Sequence, residues 1–444
     1  MRRDTASTRK QKLAEILKNA WRNHRVLVLV AAAVVLAGAA FGGYEVLKRP
    51  GDVSNEDAFF EQGDVEEDIR FGDWPTYGLT NERTRYLDAD IEPPFQVKWQ
   101  FKGRSLLEFA PVLFNHTLYV TNKNGTLFAI NADRGKKRWE VDIGQLSAAS
   151  PAFGEERIIA PTLEPGSIVA LDKFGKVRWK RDLPGRSESS PAIADGKVVV
   201  GCECGTLFAF DARTGKRVWE TDLGGQLKAS PAVDEGVVFI GDYDGKLSAV
   251  NLDDGEIKWQ TGTTGGSFGR TGRIYATAAV AFGRVYVGSL DGRMYSFEKE
   301  TGELAWSKST GGYVYAGAVA ADTDETRPTV YFGSYDGNFY ALDAEDGSTR
   351  WECDLGSSIS GAASLIGDTV YAAELSDTRT FGLSAKDGDI VWQFKDGTYN
   401  PVISDGKRLF VAGKERLYAL KPSIANKKRK GAGEKKKRGG KKKP

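Results

Sequence analysis

Short apolar runs, each closed by a turn signal, recur along most of the chain. Val198-Val199-Val200 and Val237-Val238-Phe239-Ile240 are two of them, and Asp244-Gly245, Asp291-Gly292 and Asp336-Gly337 are typical of the turns. Such runs predict strands. Asp-Gly between two of them predicts a hairpin, because glycine accepts a positive φ with no Cβ to clash. Tryptophans mark the period: Trp99, Trp139, Trp179, Trp219, Trp259, Trp306, Trp351 and Trp392, at intervals of 40, 40, 40, 40, 47, 45 and 41 residues. Ahead of most of them stands the phrase Ala-x-Asp-x-x-x-Gly-x-x-x-Trp, complete in Ala209–Trp219 and matched by Ala129–Trp139, Ala249–Trp259 and Ala341–Trp351. Ser296–Trp306 and Gly382–Trp392 are variants, and Ala170–Trp179 is one residue short.

Within each interval the pattern predicts four antiparallel strands, which is one propeller blade. Eight three-strand units begin near Pro111, Pro151, Pro191, Pro231, Thr277, Gly317, Gly361 and Pro401. The Trp99 strand precedes all of them, and the last unit, Pro401 to Leu420, ends without a tryptophan. The Trp99 strand is therefore expected to complete the last blade and remove the open sheet edge. The predicted fold is all-β: an eight-bladed β-propeller with four-stranded antiparallel blades over residues 91–422, preceded by one N-terminal transmembrane helix.

That helix is the exception to the strand pattern. Val26 to Tyr44 is 19 residues without a charge. As a helix it spans roughly 28 Å, close to the ~30 Å of bilayer hydrocarbon. The predicted organisation is a basic cytoplasmic segment over 1–25, a transmembrane helix over 26–47, an acidic linker and lead-in over 48–90, the propeller, and a disordered Lys-rich tail over 423–444. A net charge of +2 hides +6 in residues 1–25, +10 in residues 423–444 and −14 between them. The stretch Pro50 to Asp68 holds eight acids and no Lys or Arg. Basic flanks stay inside, so the expected location is the cytoplasmic membrane, single-pass, with the propeller outside. A cleaved signal peptide, with Ala37-Gly38-Ala39 as the small-residue site, is the alternative; the long basic region and the continuing apolar run favour a retained anchor.

Candidate chemistry is sparse. The chain has two histidines, His24 and His116, so little of the usual side chain for acid–base work near neutrality. The three cysteines, Cys202, Cys204 and Cys353, are too few for a disulfide scaffold. Cys202-Glu203-Cys204 sits where other repeats have a hairpin turn; an ordinary turn, a Cys-x-Cys disulfide and half a soft-metal site are the readings it admits. Asp242-Tyr243-Asp244-Gly245 lacks the distal Glu of a calcium loop. No metal site is expected.

The eleven-residue phrase resembles the tryptophan-docking motif of the pyrroloquinoline-quinone-like (quinoprotein-type) propeller repeats, in seven tandem copies over about residues 99–420. Asp73-Trp74-Pro75-Thr76-Tyr77-Gly78, followed by Thr84-Arg85-Tyr86, looks like that family's lead-in. The resemblance implies that each Trp packs flat between blades, against the Ala of one repeat and the Gly region of another. It also brings in quinone-dependent dehydrogenases, which hold the quinone beneath an adjacent Cys-Cys disulfide and use a metal-bound Asp/Glu set with an Asp base. No two cysteines are adjacent here. The expectation is therefore no catalytic residues and no cofactor; a quinone (PQQ)-dependent dehydrogenase, with calcium, is the runner-up, and an extracytoplasmic ligand sensor is the third reading. The nearest functional resemblance is to the BamB-like branch, noncatalytic envelope scaffolds, although BamB is a lipoprotein and this chain carries an apolar segment and a basic tail instead.

Binding residues are sought where the repeat breaks and where turns reach the funnel face. The 47-residue interval contains Gly262–Thr277 with Arg270 and Arg273, and the next loop carries Tyr313 and Tyr315. Glu203, Tyr243 and Lys123 lie in turns expected on the same face. The expected partners are an envelope protein or, through the tail, an anionic envelope polymer; any nucleic-acid contact would be nonspecific.

Overall fold

The computed structural model describes residues 51–62, 72–265, 271–323, 326–376, 378–397 and 400–423. The expected membrane helix, Arg270 and the basic tail beyond Ser423 lie outside the described residues. Among the described residues no helix is long and apolar enough to cross a membrane. All that follows concerns the described residues from 51 onward, which form one compact unit.

Eight separate sheets make up this unit, each built on four antiparallel strands. Their innermost strands begin at Val112, Ala152, Ala192, Ala232, Ala279, Val319, Ser364 and Ile403, and the sheets are numbered here as blades 1 to 8 in that order. Blade 3 is representative: Ala192–Ala194, Lys197–Gly201, Thr206–Asp211 and Arg217–Asp222 run from the axis outward. Its two middle strands are buried on both faces because a neighbouring blade covers each side, which explains the unbroken run Val198-Val199-Val200. The outer strand alternates, with Trp219 turned in and its neighbours exposed. Blade 8 closes the ring. Phe95–Lys102 is its outermost strand, antiparallel to Arg416–Pro422, with Trp99 opposite Ala419.

Two blades carry a fifth strand that the repeat pattern does not announce. Val53–Ser54, within the expected linker, adds to the outer edge of blade 5 beside Leu304–Ser309. Asp52 anchors it by accepting the Ser309 N–H at 2.8 Å, and Asn55 donates to Ala305 O at 2.7 Å. Tyr86–Leu87 runs parallel to the innermost strand of blade 7, Ser364–Ile366.

The phrase around each Trp has a geometric meaning. Trp219 faces Ala209 across its own hairpin, lies on Gly255 of the next blade, and donates from Nε1 to Leu252 O at 2.8 Å. A Cβ on Gly255 would come within 2.8 Å of the indole, and its φ is +80°. The same indole-to-carbonyl bond links Trp99 to Ala132, Trp139 to Lys173, Trp179 to Ala212, Trp259 to Lys299, Trp306 to Ala344 and Trp351 to Ala385. Asp211 holds the turn between Ala and Gly by accepting the N–H groups of Arg213 and Thr214.

The lead-in, residues 74–87, steps around the innermost strands one blade at a time. Trp74 bridges to Leu113 of blade 1, and Pro75 O accepts from Phe153 of blade 2. Asn81 donates to Ile193 O of blade 3 and accepts from Val233 of blade 4. Glu82, Thr84 and Arg85 then offer their carbonyls to Val280, Ala320 and Leu365 of blades 5, 6 and 7. Arg83 is fully buried and donates to Pro231 O, Pro191 O and the Thr76 hydroxyl at 3.0, 3.1 and 2.6 Å, and also to Tyr77 O. Arg85 donates to Arg83 O and Ala318 O. Burial, aided by the charge of Arg85, pushes Arg83 down to about 9, with Tyr77 and Glu82 opposing the shift.

Candidate functional site: the tyrosine-lined funnel

A single repeat position lines the funnel. The residue four places before the start of each innermost strand is Glu108, Ala148, Glu188, Lys228, Tyr275, Tyr315 and Ser360 in blades 1 to 7. In blade 8 the corresponding position lies outside the described residues. The turn after each second strand is tied beside this ring by one backbone bond. Lys123 N–H donates to Leu106 O, Glu203 to Arg186 O, Tyr243 to Gln226 O, Tyr335 to Tyr313 O and Leu375 to Ser358 O, at 2.8 to 3.0 Å. Among the described residues two stacked rows of side chains result, carried on the segments next to the innermost strands.

They enclose a cavity of about 490 Å³. Six ring residues line it, together with Tyr243, Tyr335 and Leu375 from the turns and Tyr77 from the lead-in. Lys228 Nζ lies 2.8 Å from Glu188 Oε1 and 3.4 Å from Glu203 Oε1. Tyr275 Oη donates to Glu188 Oε2 at 3.0 Å. Burial draws the Lys228 pKa down, but the bond and charge of Glu188, with Glu203, leave it above its ordinary value. Burial, then the Glu188 charge, pushes the Tyr275 hydroxyl well above the ordinary phenol range. Burial also raises Glu108; Lys123 opposes that shift and Glu188 adds to it.

Aromatic rings cover one side of the funnel. Centroid separations are 6.2 Å for Tyr243–Tyr275, 5.3 Å for Tyr275–Tyr315 and 4.9 Å for Tyr315–Tyr335, with Tyr313 6.2 Å from Tyr315. The Lys228 ammonium lies 5.5 Å from the Tyr243 centroid and the Arg273 guanidinium 5.7 Å.

Of the residues singled out from the sequence, Tyr243 and Tyr315 line the cavity. Glu203 reaches it through Lys228, Arg273 rests on Tyr243, and Tyr313 stands 53% exposed at the end of the tyrosine arc. Lys123 is exposed and acts on Glu108 through its charge. The reasoning from broken repeats missed Glu108, Glu188, Lys228, Tyr275 and Tyr335, and with them Tyr77. Most of these were findable, because they occupy one fixed position of the repeat where small, acidic, basic and aromatic residues alternate, unlike any core position.

Cys202 and Cys204, in the turn of their hairpin, are joined with Cα atoms 5.0 Å apart, so of the three readings the structure has the disulfide rather than the plain turn. Cys202 is buried, and Glu203 is the one residue between the two cysteines in sequence. Asp242 serves its turn by accepting the Lys246 N–H at 2.9 Å. Among the described residues no three His, Cys, Asp or Glu side chains converge into a metal-binding group. Glu188 and Glu203 both turn to Lys228.

The family described as "Outer membrane protein assembly factor BamB" matches this sequence over residues 94–173, 123–326, 164–394 and 316–430. The chain belongs to this BamB-like family of PQQ-repeat propellers. Among curated proteins none matches it in sequence. The crystal structure of BamB from Moraxella catarrhalis superposes with a TM-score of 0.63 at 18% identity, covering 74% of this chain and 100% of that one. The quinohemoprotein alcohol dehydrogenase ADHIIG of Pseudomonas putida HK5 gives a TM-score of 0.68 at 15% identity, over 79% of this chain and 80% of that one. A europium-containing methanol dehydrogenase gives 0.68 at 15%, over 79% and 98%. Likeness at these identities establishes the propeller and leaves activity to the site.

Proposed function

We propose that this BamB-like propeller is a noncatalytic scaffold or binding module of the cell envelope, tethered by the apolar segment 26–47 and engaging its partner at the funnel face. The observation that carries this reading is the funnel itself. Lys228 is turned to Glu188 and Glu203, the open wall is tyrosine, and tyrosine and arginine are among the side chains that most often anchor an interface. Tyr313, Tyr315, Tyr335 and Arg273 supply such a set on rigid turns. The test is affinity capture from solubilised envelope with the parent protein and with Tyr313→Ala. A specific partner retained by the parent and lost by the variant supports the reading; capture unaffected by the substitution moves the interface elsewhere.

A quinone-dependent dehydrogenase is the second reading, favoured by the Cys202–Cys204 disulfide beside the funnel. Against it stands the disposition of the carboxylates: with Glu188 and Glu203 committed to Lys228, they do not fit the metal-bound Asp/Glu set such enzymes use. Adding the quinone with calcium and following dye-linked alcohol oxidation separates the two readings.

A further inference from the structure

The charges that line the funnel do not balance. They are Glu108, Glu188 and Lys228. Lys228 is committed to Glu188, with Glu203 behind it. Glu108 has no hydrogen-bond or ion-pair partner among the described residues, although it is partly buried. A carboxylate half removed from water and left unpaired is costly, and a cation brought to it recovers that cost.

The facing wall suits a cation as well. Aromatic faces carry negative charge density and attract ammonium and guanidinium groups. The funnel already shows this with its own side chains, since Lys228 and Arg273 both lie against Tyr243. Tyr275, Tyr315 and Tyr335 line the cavity without such a cation on their faces among the described residues. The buried guanidiniums of the lead-in do not reverse the preference. Arg83 spends its donors on Pro191, Pro231, Thr76 and Tyr77; Arg85 donates from Nη1 to Arg83 O and Ala318 O, has no hydrogen-bond partner for Nε and Nη2 among the described residues, and lies 5.2 Å from the Tyr77 ring centroid. Neither lines the cavity.

Resting on the reading of the funnel as the binding site, we infer that it accepts a slender organic cation, a primary ammonium or guanidinium on an aliphatic chain, with the charge at Glu108 and the chain along Tyr275, Tyr315 and Tyr335. A lysine side chain of a partner protein and a free alkyl amine share this chemistry. A neutral polyol would also find tyrosine faces and hydroxyls here, but it would leave Glu108 with only the charge of the exposed Lys123 to oppose its burial.

The experiment is calorimetric titration of the full chain with three probes: Nα-acetyl-lysine methylamide, the same compound acetylated at Nε, and putrescine. Both amines are expected to bind and the neutral Nε-acetyl compound to fail. Glu108→Gln is expected to weaken amine binding roughly tenfold or more, the scale of one charge-assisted contact, with the melting temperature not lowered. Tyr315→Ala provides a second variant that leaves the carboxylate in place and is expected to weaken binding too. Tighter binding of the lysine derivative assigns the site to a peptide-borne cation, and tighter binding of putrescine to a free amine. Equal affinity for the Nε-acetyl compound, no binding of either amine, or affinity unchanged by Glu108→Gln overturns the inference. Any of those results leaves the binding-module reading to be judged separately, by whether Tyr313→Ala abolishes partner capture.

Discussion

Trp392 and Phe95 meet edge to face, their ring centroids 5.5 Å apart and their planes at 85°. At the seven other interfaces the docking Trp lies on a glycine of the following repeat. Between blades 7 and 8 that glycine does not exist, because the outer hairpin of blade 8 is made from the two ends of the chain: one strand ends at Pro422 and its partner begins at Phe95. An aromatic ring at the start of the closing strand takes over the contact, with Tyr371 also edge-on to the indole at 5.8 Å.

Phe95→Ala is therefore expected to weaken ring closure. Deleting a fully buried phenyl costs about 3–5 kcal/mol, and Phe95 is only partly buried, so about 2–3 kcal/mol is expected here. Denaturant titration reads this directly. Removing residues 91–103 takes away the whole strand and should destabilise the ring far more. A truncated protein that melted like the parent would mean that blade 8 does not hold the ring shut.

The glycines under the indoles make a sharper test than the indoles themselves. Trp219→Ala empties an interface and should cost on the order of 3–5 kcal/mol. Gly255→Ala adds only a methyl group, yet its Cβ would meet the Trp219 ring at 2.8 Å, and the backbone φ of +80° strains any L side chain. We expect Gly255→Ala to lower the melting temperature clearly, whereas alanine at the exposed neighbour Lys258 should have little effect. Comparable melting for the two variants would remove the glycine from the docking account.

This contrast explains what could be read from the sequence. Blade number, strand count within the repeats and the closing role of the Trp99 strand follow from a period that every repeat repeats, because docking demands the same Ala, Gly and Trp each time. The fifth strands, Val53–Ser54 and Tyr86–Leu87, belong to non-repeating segments and are only two residues long, too short for any alternation to show. The funnel was partly legible. Tyr243 and Tyr315 stood out as residues in turns and broken repeats, but Glu108, Glu188 and Lys228 sit just ahead of ordinary Ser-Pro or Ala-Pro steps and pass for solvated loop residues. Only the ring closure, bringing blades 1, 3 and 4 to one axis, makes them a group. The Cys202–Cys204 bond needed the turn geometry to decide among the readings two spaced cysteines allow.

Glu108 also predicts a dependence of stability on pH. Burial raises its pKa in the folded protein above the ordinary carboxylate value. Between the unfolded and folded values the folded chain holds more protons than the unfolded one, so this group's contribution to stability falls as pH rises through that interval. Glu108→Gln removes the effect. The variant should be at least as stable as the parent at neutral pH, and its advantage should shrink on acidification. Amine binding should move the opposite way, fading as the carboxyl protonates at low pH. Denaturation midpoints and titrations across the acid range check both; a variant less stable than the parent at neutrality would mean that Glu108 has a partner holding its charged form.

The last prediction concerns the basic segment that follows the propeller. Residues 423–444 carry +10 with no apolar run, while the chain between the two basic ends carries −14. Attraction built only on lysine and arginine charge arises from Coulomb forces and counterion release, so it weakens steeply with salt and discriminates little among polyanions. We expect the protein to sediment with anionic envelope polymers at low ionic strength and to release them near or somewhat above physiological salt. Deleting residues 424–444 should abolish this while leaving the melting temperature unchanged, since the closing pair, Phe95–Lys102 with Arg416–Pro422, is complete before that point. The acidic body is the competing polyanion. If it held the tail against itself, the full chain would bind polymer weakly at low salt and better at intermediate salt, a maximum rather than a steady decline. Equal binding by full-length and shortened chains across the salt series would take the tail out of polymer binding and leave the funnel face as the site of contact.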